Sequence, residues 1–242
     1  MKNVLLIPSF LLLLLSSQLA WCADKLSSAA RPAVPIKVAF VLGNHAVPTD
    51  FAGPWDVFSD VHLPDEGQGM DARMPFELYT VSASTAAIRT TGNRHPGMAV
   101  TPDYSFDNVP EPDLIVVPAM GDTPGLTAWL QKMAARDKTI VSICTGAFKL
   151  AQAGLLDGRK ATTHRDEIAV LAQRFPKVKA VSGVRFVQDG RIYTSAGISA
   201  GIDLALHIVD QYYGRAVAQQ AADSLEYESD GWKRPAPQRV NQ

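Results

Sequence analysis

Apolar residues fall along this chain in two recurring patterns. Short runs rich in β-branched residues, apolar on both faces, read as strands buried in a parallel sheet. They cover residues 36–42, 76–82, 113–118 and 139–143. Between them lie longer stretches with apolar residues three or four apart, which predict helices. One is expected from Phe51 through Val61, with Val57, Phe58 and Val61 on one face and Pro54 tolerated in the first turn. Others are expected from Thr123 or Pro124 to Arg136, from Ala147 to Ala153, from Asp166 to Phe175, from Ser199 to Tyr213 and from Ala216 to Glu226. Residues 88–91 and 98–102 read as short strands around a glycine-rich turn, and residues 161–164 as a short extended piece. Residues 178–182 read as a strand, and Asp189-Gly190 as the turn of a hairpin joining 185–188 to 191–194. Strands alternating with helices give an α/β fold, mainly parallel, with helices on both faces of the sheet. Ligands of such sheets gather beyond the carboxyl ends of the strands. Asp50, the 119–123 loop, Cys144 and the 194–199 loop all follow strands and can converge there.

The chain ends read differently. Residues 1–23 begin with Lys2, continue as an apolar run over 4–15 broken only by Ser9 among its polar types, and finish in small and polar residues. That is the pattern of a secretory signal peptide, too short to span a bilayer. The expected location is periplasmic or secreted, with no stable membrane insertion once the leader is removed. Leu19-Ala20-Trp21-Cys22 resembles a lipoprotein processing box, but Trp21 stands where a small residue is needed. Residues 24–35 read as a flexible leader, 36–228 as one domain and 229–242 as a flexible tail. Across 242 residues the net charge is −1, so no electrostatic case exists for a nucleic-acid partner. Gly43, Gly121 and Gly125 do not make a dinucleotide fingerprint, and no P-loop is present.

Cysteine usage sharpens the picture. Of the two cysteines, Cys22 lies in the processing region, which leaves Cys144 as the thiol of the mature fold. It sits where the strand at 139–143 becomes the next helix. A nucleophile on such a turn is lifted into the open, and a helix N-terminus behind it favours thiolate over thiol. Partial ionisation of Cys144 near neutral pH is therefore expected. An inert core thiol is the competing reading. The five histidines have no metal-ligand spacing, and neither a metal nor a cofactor is expected.

Three ordered motifs then resemble one family. Residues 50–58 (Asp-Phe-Ala-Gly-Pro-Trp-Asp-Val-Phe), residues 144–164 around Cys144-Thr145-Gly146, and residues 194–203 (Thr-Ser-Ala-Gly-Ile-Ser-Ala-Gly-Ile-Asp) are similar to segments of the ThiJ/PfpI superfamily, which is class I glutamine amidotransferase-like. The branch they look most like holds isonitrile hydratases and the sensing domains of AraC-type regulators. The resemblance implies a flavodoxin-like three-layer sandwich, a homodimer, a cysteine on the elbow and a carboxylate facing it. The carboxylate position is Asp50, where many members use Glu. The Pro-Gly-Gly usual after the preceding strand is replaced by Pro118-Ala119-Met120-Gly121.

The resemblance also implies roles. Cys144 would attack a small-molecule substrate, Asp50 would shuttle the proton, and Thr145 would hold developing charge or orient water. Ala119, Met120, Gly121, His45 and His164 would line the pocket, with one oxyanion-hole amide from the 119–121 loop. His164 reads more as a structural neighbour than as a base, and a helix N-cap is the competing reading of Asp50, not exclusive of the catalytic one. Two functions stand. One is an exported cysteine enzyme of isonitrile hydratase type. The other is a ligand- or redox-sensing module without the DNA-binding part.

Overall fold

The computed structural model describes residues 35–64, 74–233 and 239–240. The signal-peptide and leader readings fall outside them, apart from Pro35. The β-branched runs form the expected strands: β1 (Ile36–Val41), β2 (Phe76–Ser82), β6 (Leu114–Val117) and β7 (Thr139–Ser142). Short strands β3 (Ile88–Arg89), β4 (Ala99–Val100) and β5 (Tyr104–Ser105) lie between β2 and β6. Later come β8 (Lys160–Ala161), β9 (Lys179–Ser182) and the hairpin β10 (Phe186–Asp189) with β11 (Ile192–Ser195). β12 (Arg239–Val240) adds antiparallel to β9.

The main sheet has seven strands in the order β10-β11-β7-β6-β1-β2-β5. All neighbours are parallel except the β10–β11 hairpin. Alternation along each strand divides the interior into two cores. Val38, Phe40, Leu114, Val116 and Val141 face one side, against helices α1 (Pro48–Ser59), α5 (Ala200–Tyr213) and α6 (Arg215–Ser224). Ala39, Val41, Ile115, Val117 and Ile140 face the other, against α2 (Leu126–Ala134), α3 (Ala147–Gln152) and α4 (Ile168–Arg174). The result is a three-layer α/β sandwich. The helix after β1 covers one face and the helix after β6 the other. The winding therefore reverses between these adjacent strands, and a crevice opens at their carboxyl ends. No helix among the described residues is long and apolar enough to cross a membrane.

Three expectations need correction. The first helix begins at Pro48 rather than Phe51, with Pro48 supplying the first-turn proline and Pro54 lying inside the helix. Its N-cap is Val47, which makes no side-chain capping bond, so Asp50 is not the cap. The second helix starts only at Leu126, because Gly125 before it takes a left-handed backbone, φ 80°. The folded unit also runs past residue 228. Trp232, expected in the flexible tail, is completely buried among the residues of the α5/α6 core. Burial of the large indole offsets much of the cost of ordering the short segment that carries it.

Candidate active site

The strand β7 ends in extended backbone at Ile143, and Cys144 then turns to φ +55°. A left-handed backbone on a residue other than glycine costs roughly 1–2 kcal/mol and persists only where its surroundings fix it. Here four contacts do so. The Ile143 N–H donates to Val117 O at 3.0 Å, and the Cys144 N–H donates to Ala196 O at 3.3 Å. The Thr163 hydroxyl donates to Cys144 O at 2.9 Å. The Gly146 N–H closes the turn onto Ile143 O at 2.9 Å. Gly146 is required, because a Cβ there would sit 2.2 Å from Val117 O. One 3₁₀ turn, Cys144–Gly146, leads into α3, which is only six residues long.

Cys144 is buried, 7% exposed. Burial, reinforced by the negative charge of Asp50, pushes the thiol up to about 11. The amides of Thr145 and Ile198 act on the sulfur in the opposite sense and are outweighed. The expectation of a partly ionised thiol near neutral pH is therefore corrected. The helix behind Cys144 is short, and a buried sulfur beside a carboxylate keeps its proton.

Asp50 is the third residue of α1 and has no exposed surface. Its Oδ2 accepts the Ala119 N–H at 3.1 Å. Its Oδ1 is buried without a partner of ordinary hydrogen-bond geometry, while Asp50 and the Cys144 thiol each shift the other. Burial raises the carboxyl from 3.8 to about 6, against the opposing pull of the Ala119 amide, the His164 charge and the thiol. Near pH 7 the pair thus holds one proton, on sulfur, with an acceptor for it beside the sulfur. Taking that proton is uphill for the carboxylate, whose pKa lies well below the thiol's, so the transfer has to accompany bond formation at sulfur.

The other expected residues divide. The Ala119 amide is committed to Asp50 and the Gly121 amide to Asn44 O at 2.7 Å, so neither is free to serve an oxyanion. Of the 119–121 loop expected to supply one oxyanion-hole amide, these two residues have theirs engaged elsewhere. Met120 is half-buried, its sulfur 3.8 Å from the Thr123 hydroxyl. His45 is exposed at φ +62°, with its ring beside Gly121. His164 lies against Gly197, accepts the Asp166 N–H at Nδ1 over 3.4 Å, and is near enough to Asp50 to lower its pKa. It is a neighbour of Asp50 at the edge of the site. Thr145 contributes its amide.

Sequence reasoning missed Ile198. Its backbone is left-handed, φ +52°, and its amide acts on the Cys144 sulfur. A β-branched residue gives no hint of that conformation; the only signal was its place in a loop after a strand. Among the described residues no cluster of three or more His, Cys, Asp or Glu is arranged to hold a metal. A cleft of about 610 Å³, bounded by Pro48 and residues 90–98, opens beside the start of the helix that carries Asp50.

Residues 36–211 match the model of the DJ-1/PfpI family. The chain is 32% identical over 200 residues to an isonitrile hydratase of Pseudomonas putida, covering 79% of this chain and 78% of that one. It is 37% identical over 134 residues to the HTH-type transcriptional regulator CdhR of Pseudomonas aeruginosa. That match covers 53% of this chain but only 40% of the regulator. The crystal structure of a ThiJ/PfpI family protein from Pseudomonas syringae aligns with a TM-score of 0.65 at 26% identity, over 84% of this chain and 80% of that one. An AraC family regulator from Pseudomonas putida aligns with a TM-score of 0.66 at 23% identity, over 79% of this chain and all of that one, a likeness of fold.

Proposed function

This chain belongs to the DJ-1/PfpI family, and from that premise we propose that it is a cysteine-dependent enzyme hydrating small isonitriles to N-formamides. The observation that carries the reading is the buried Cys144–Asp50 pair, with the carboxyl raised to about 6 beside a protonated thiol. The likeness to an isonitrile hydratase over most of both chains supports the substrate class. In the proposed reaction Asp50 takes the thiol proton as sulfur attacks the terminal isonitrile carbon, then delivers that proton to the same carbon. The product of this step is a thioimidate, Cys–S–CH=N–R. Asp50, again a carboxylate, takes a proton from water as the water oxygen adds to the thioimidate carbon. One water hydrogen ends on nitrogen and the other on sulfur as the C–S bond breaks. R–NH–CHO leaves and the thiol is restored. The amides of Thr145 and Ile198 steady the charge on sulfur, and the Thr145 hydroxyl orients the water.

The test is turnover of a panel of small isonitriles, with the N-formamide detected by mass spectrometry. Wild type should turn over and Cys144→Ala should not. A specific observation favours a second reading: the stronger local identity is to a transcriptional regulator. Saturable binding of an isonitrile without turnover in wild type would select that reading, a small-molecule sensing module.

We also propose export, on the strength of the apolar run at residues 4–15 alone. Intact-mass analysis of protein from the native envelope should show loss of about 20 residues. A full-length cytoplasmic species would refute export. A homodimer is part of the same proposal, and sedimentation reporting only monomer would remove it.

A further inference from the structure

Cys144 is covered on one side by the loop 196–199, and that loop is held by a network that reaches neither the thiol nor Asp50. At its centre is Asp203, near the start of α5, a carboxylate with no exposed surface. Its Oδ2 accepts from Arg185 Nε. Its Oδ1 accepts from the Tyr227 hydroxyl at 3.2 Å and from the Ser229 hydroxyl at 3.0 Å. Burial and the Asp203 charge raise the Tyr227 pKa and keep its hydroxyl a donor. Both ends of the 196–199 loop are tied into this cluster. Arg185 O accepts the Ala196 N–H at 2.8 Å, and Arg185 Nη2 donates to the Ser199 hydroxyl at 3.3 Å. The Tyr227 hydroxyl also lies 3.3 Å from Ser199 O. Between these ties sit Gly197 and Ile198.

The held loop meets the nucleophile twice. Ala196 O accepts the Cys144 N–H, and the Ile198 amide acts on the sulfur. Ile198 needs holding, since a β-branched residue resists φ +52° and this one is 46% exposed. The chain segment that completes the network comes from beyond α6. It passes so close over Asp203 that a Cβ on Gly231 would sit 2.6 Å from Oδ2. Trp232, one residue on, anchors the segment in the core.

We propose that Arg185, Asp203, Tyr227 and Ser229 form a positioning clamp, through which the segment 227–232 holds the Ala196 carbonyl and the Ile198 amide against Cys144. None of the four touches the reacting atoms. They act by fixing the backbone conformation of the loop. The inference rests on Cys144 being the nucleophile, not on the identity of its substrate.

Tyr227→Phe removes one hydroxyl, and with it the ties to Ser199 O and to Asp203 Oδ1. Arg185→Lys keeps a cation but removes the second donor arm. Both are tested on the full chain by iodoacetamide alkylation of Cys144 across pH, with melting temperature and amide hydrogen exchange at Cys144 as companions. The clamp predicts an alkylation profile displaced to higher pH and a rate at pH 8 lower by about threefold to tenfold, the worth of one hydrogen bond to the thiolate. It also predicts faster exchange at the Cys144 amide, with little change in melting temperature. Folded variants with wild-type profiles and wild-type exchange would overturn the proposal. So would global unfolding of Tyr227→Phe, which would make the network a support of the whole fold. Failure of the nucleophile reading is separately visible: the folded wild type would then resist alkylation throughout, while the Cys144 exchange rates would still report on the clamp.

Discussion

At the scale of single residues, the informative quantity is the position of one proton between Asp50 and Cys144. The folded protein binds the Asp50 proton more tightly than the unfolded chain does, because its carboxyl rises from 3.8 to about 6. The stability this confers is fully present below about pH 4 and is lost as pH rises through about 6. Above that, the fold carries a buried carboxylate, at a cost on the order of 3 kcal/mol at most. Asp50→Asn removes the cost and keeps an oxygen for the Ala119 N–H. Its melting temperature should match or exceed that of wild type at pH 7.5, with the two converging near pH 4. Turnover should nevertheless fall by about a hundredfold or more, the usual range for losing a general acid–base group. The alkylation profile of Cys144 should move to lower pH, since the carboxylate no longer opposes the thiolate. An Asp50→Asn enzyme as active as wild type on a substrate that needs Cys144 would rule out the proton-shuttle role. A melting temperature well below wild type at pH 7.5 would instead contradict the burial penalty.

At the scale of elements, the turn after β7 depends on close approach rather than on helix length. A Cβ on Gly146 would press against the backbone oxygens of Val117 and Pro118, which cannot retreat without breaking β6. Gly146→Ala should therefore displace Cys144, lowering alkylation and turnover by at least about tenfold and costing about 1–3 kcal/mol of stability in denaturant melts. Wild-type values for both would show that the turn has slack. The same elements show what could be read from the chain. β1, β6 and β7 were legible because strands buried on both faces have few alternatives to β-branched and aliphatic residues. Cys144 was legible because it follows such a strand, and Asp50 because residues 50–58 resemble a segment of the family. The true start of α1 was not, since Pro48 and Pro54 are equally good first-turn prolines and only contact with Ala119 shows which way Asp50 points. The donor at Ile198 was illegible because its conformation is imposed by Arg185 and Tyr227, at sequence distances no local pattern spans. The thiol's high pKa was misjudged for a similar reason: the helix behind it was visible, but the depth of burial was not.

At the scale of the whole molecule, two cores flank one sheet, and the last described helices complete one of them. Trp232 fills that core completely, so Trp232→Ala should destabilise the protein by about 3–5 kcal/mol and lower its melting temperature accordingly. An unchanged melting temperature would mean that residues 229–233 are a true tail. The placement of β1 has a consequence for how a growing chain behaves. β1 is the first of the described strands along the chain, yet it finishes in the middle of the sheet, with Val38 beside Leu78 on one side and Leu114 on the other. A nascent chain can join β1 to β2 early. The opposite edge of β1 then stays open, apolar and able to pair with another molecule, until Leu114 has been synthesised. Asp50 is present throughout that interval, but Cys144 gains its elbow only after β6 and β7 have docked. The loop over the sulfur gains its last support only when Trp232 emerges. In order along the chain the carboxylate comes early and the last support of the thiol comes late, so a chain that stops short of Trp232 lacks a finished nucleophile.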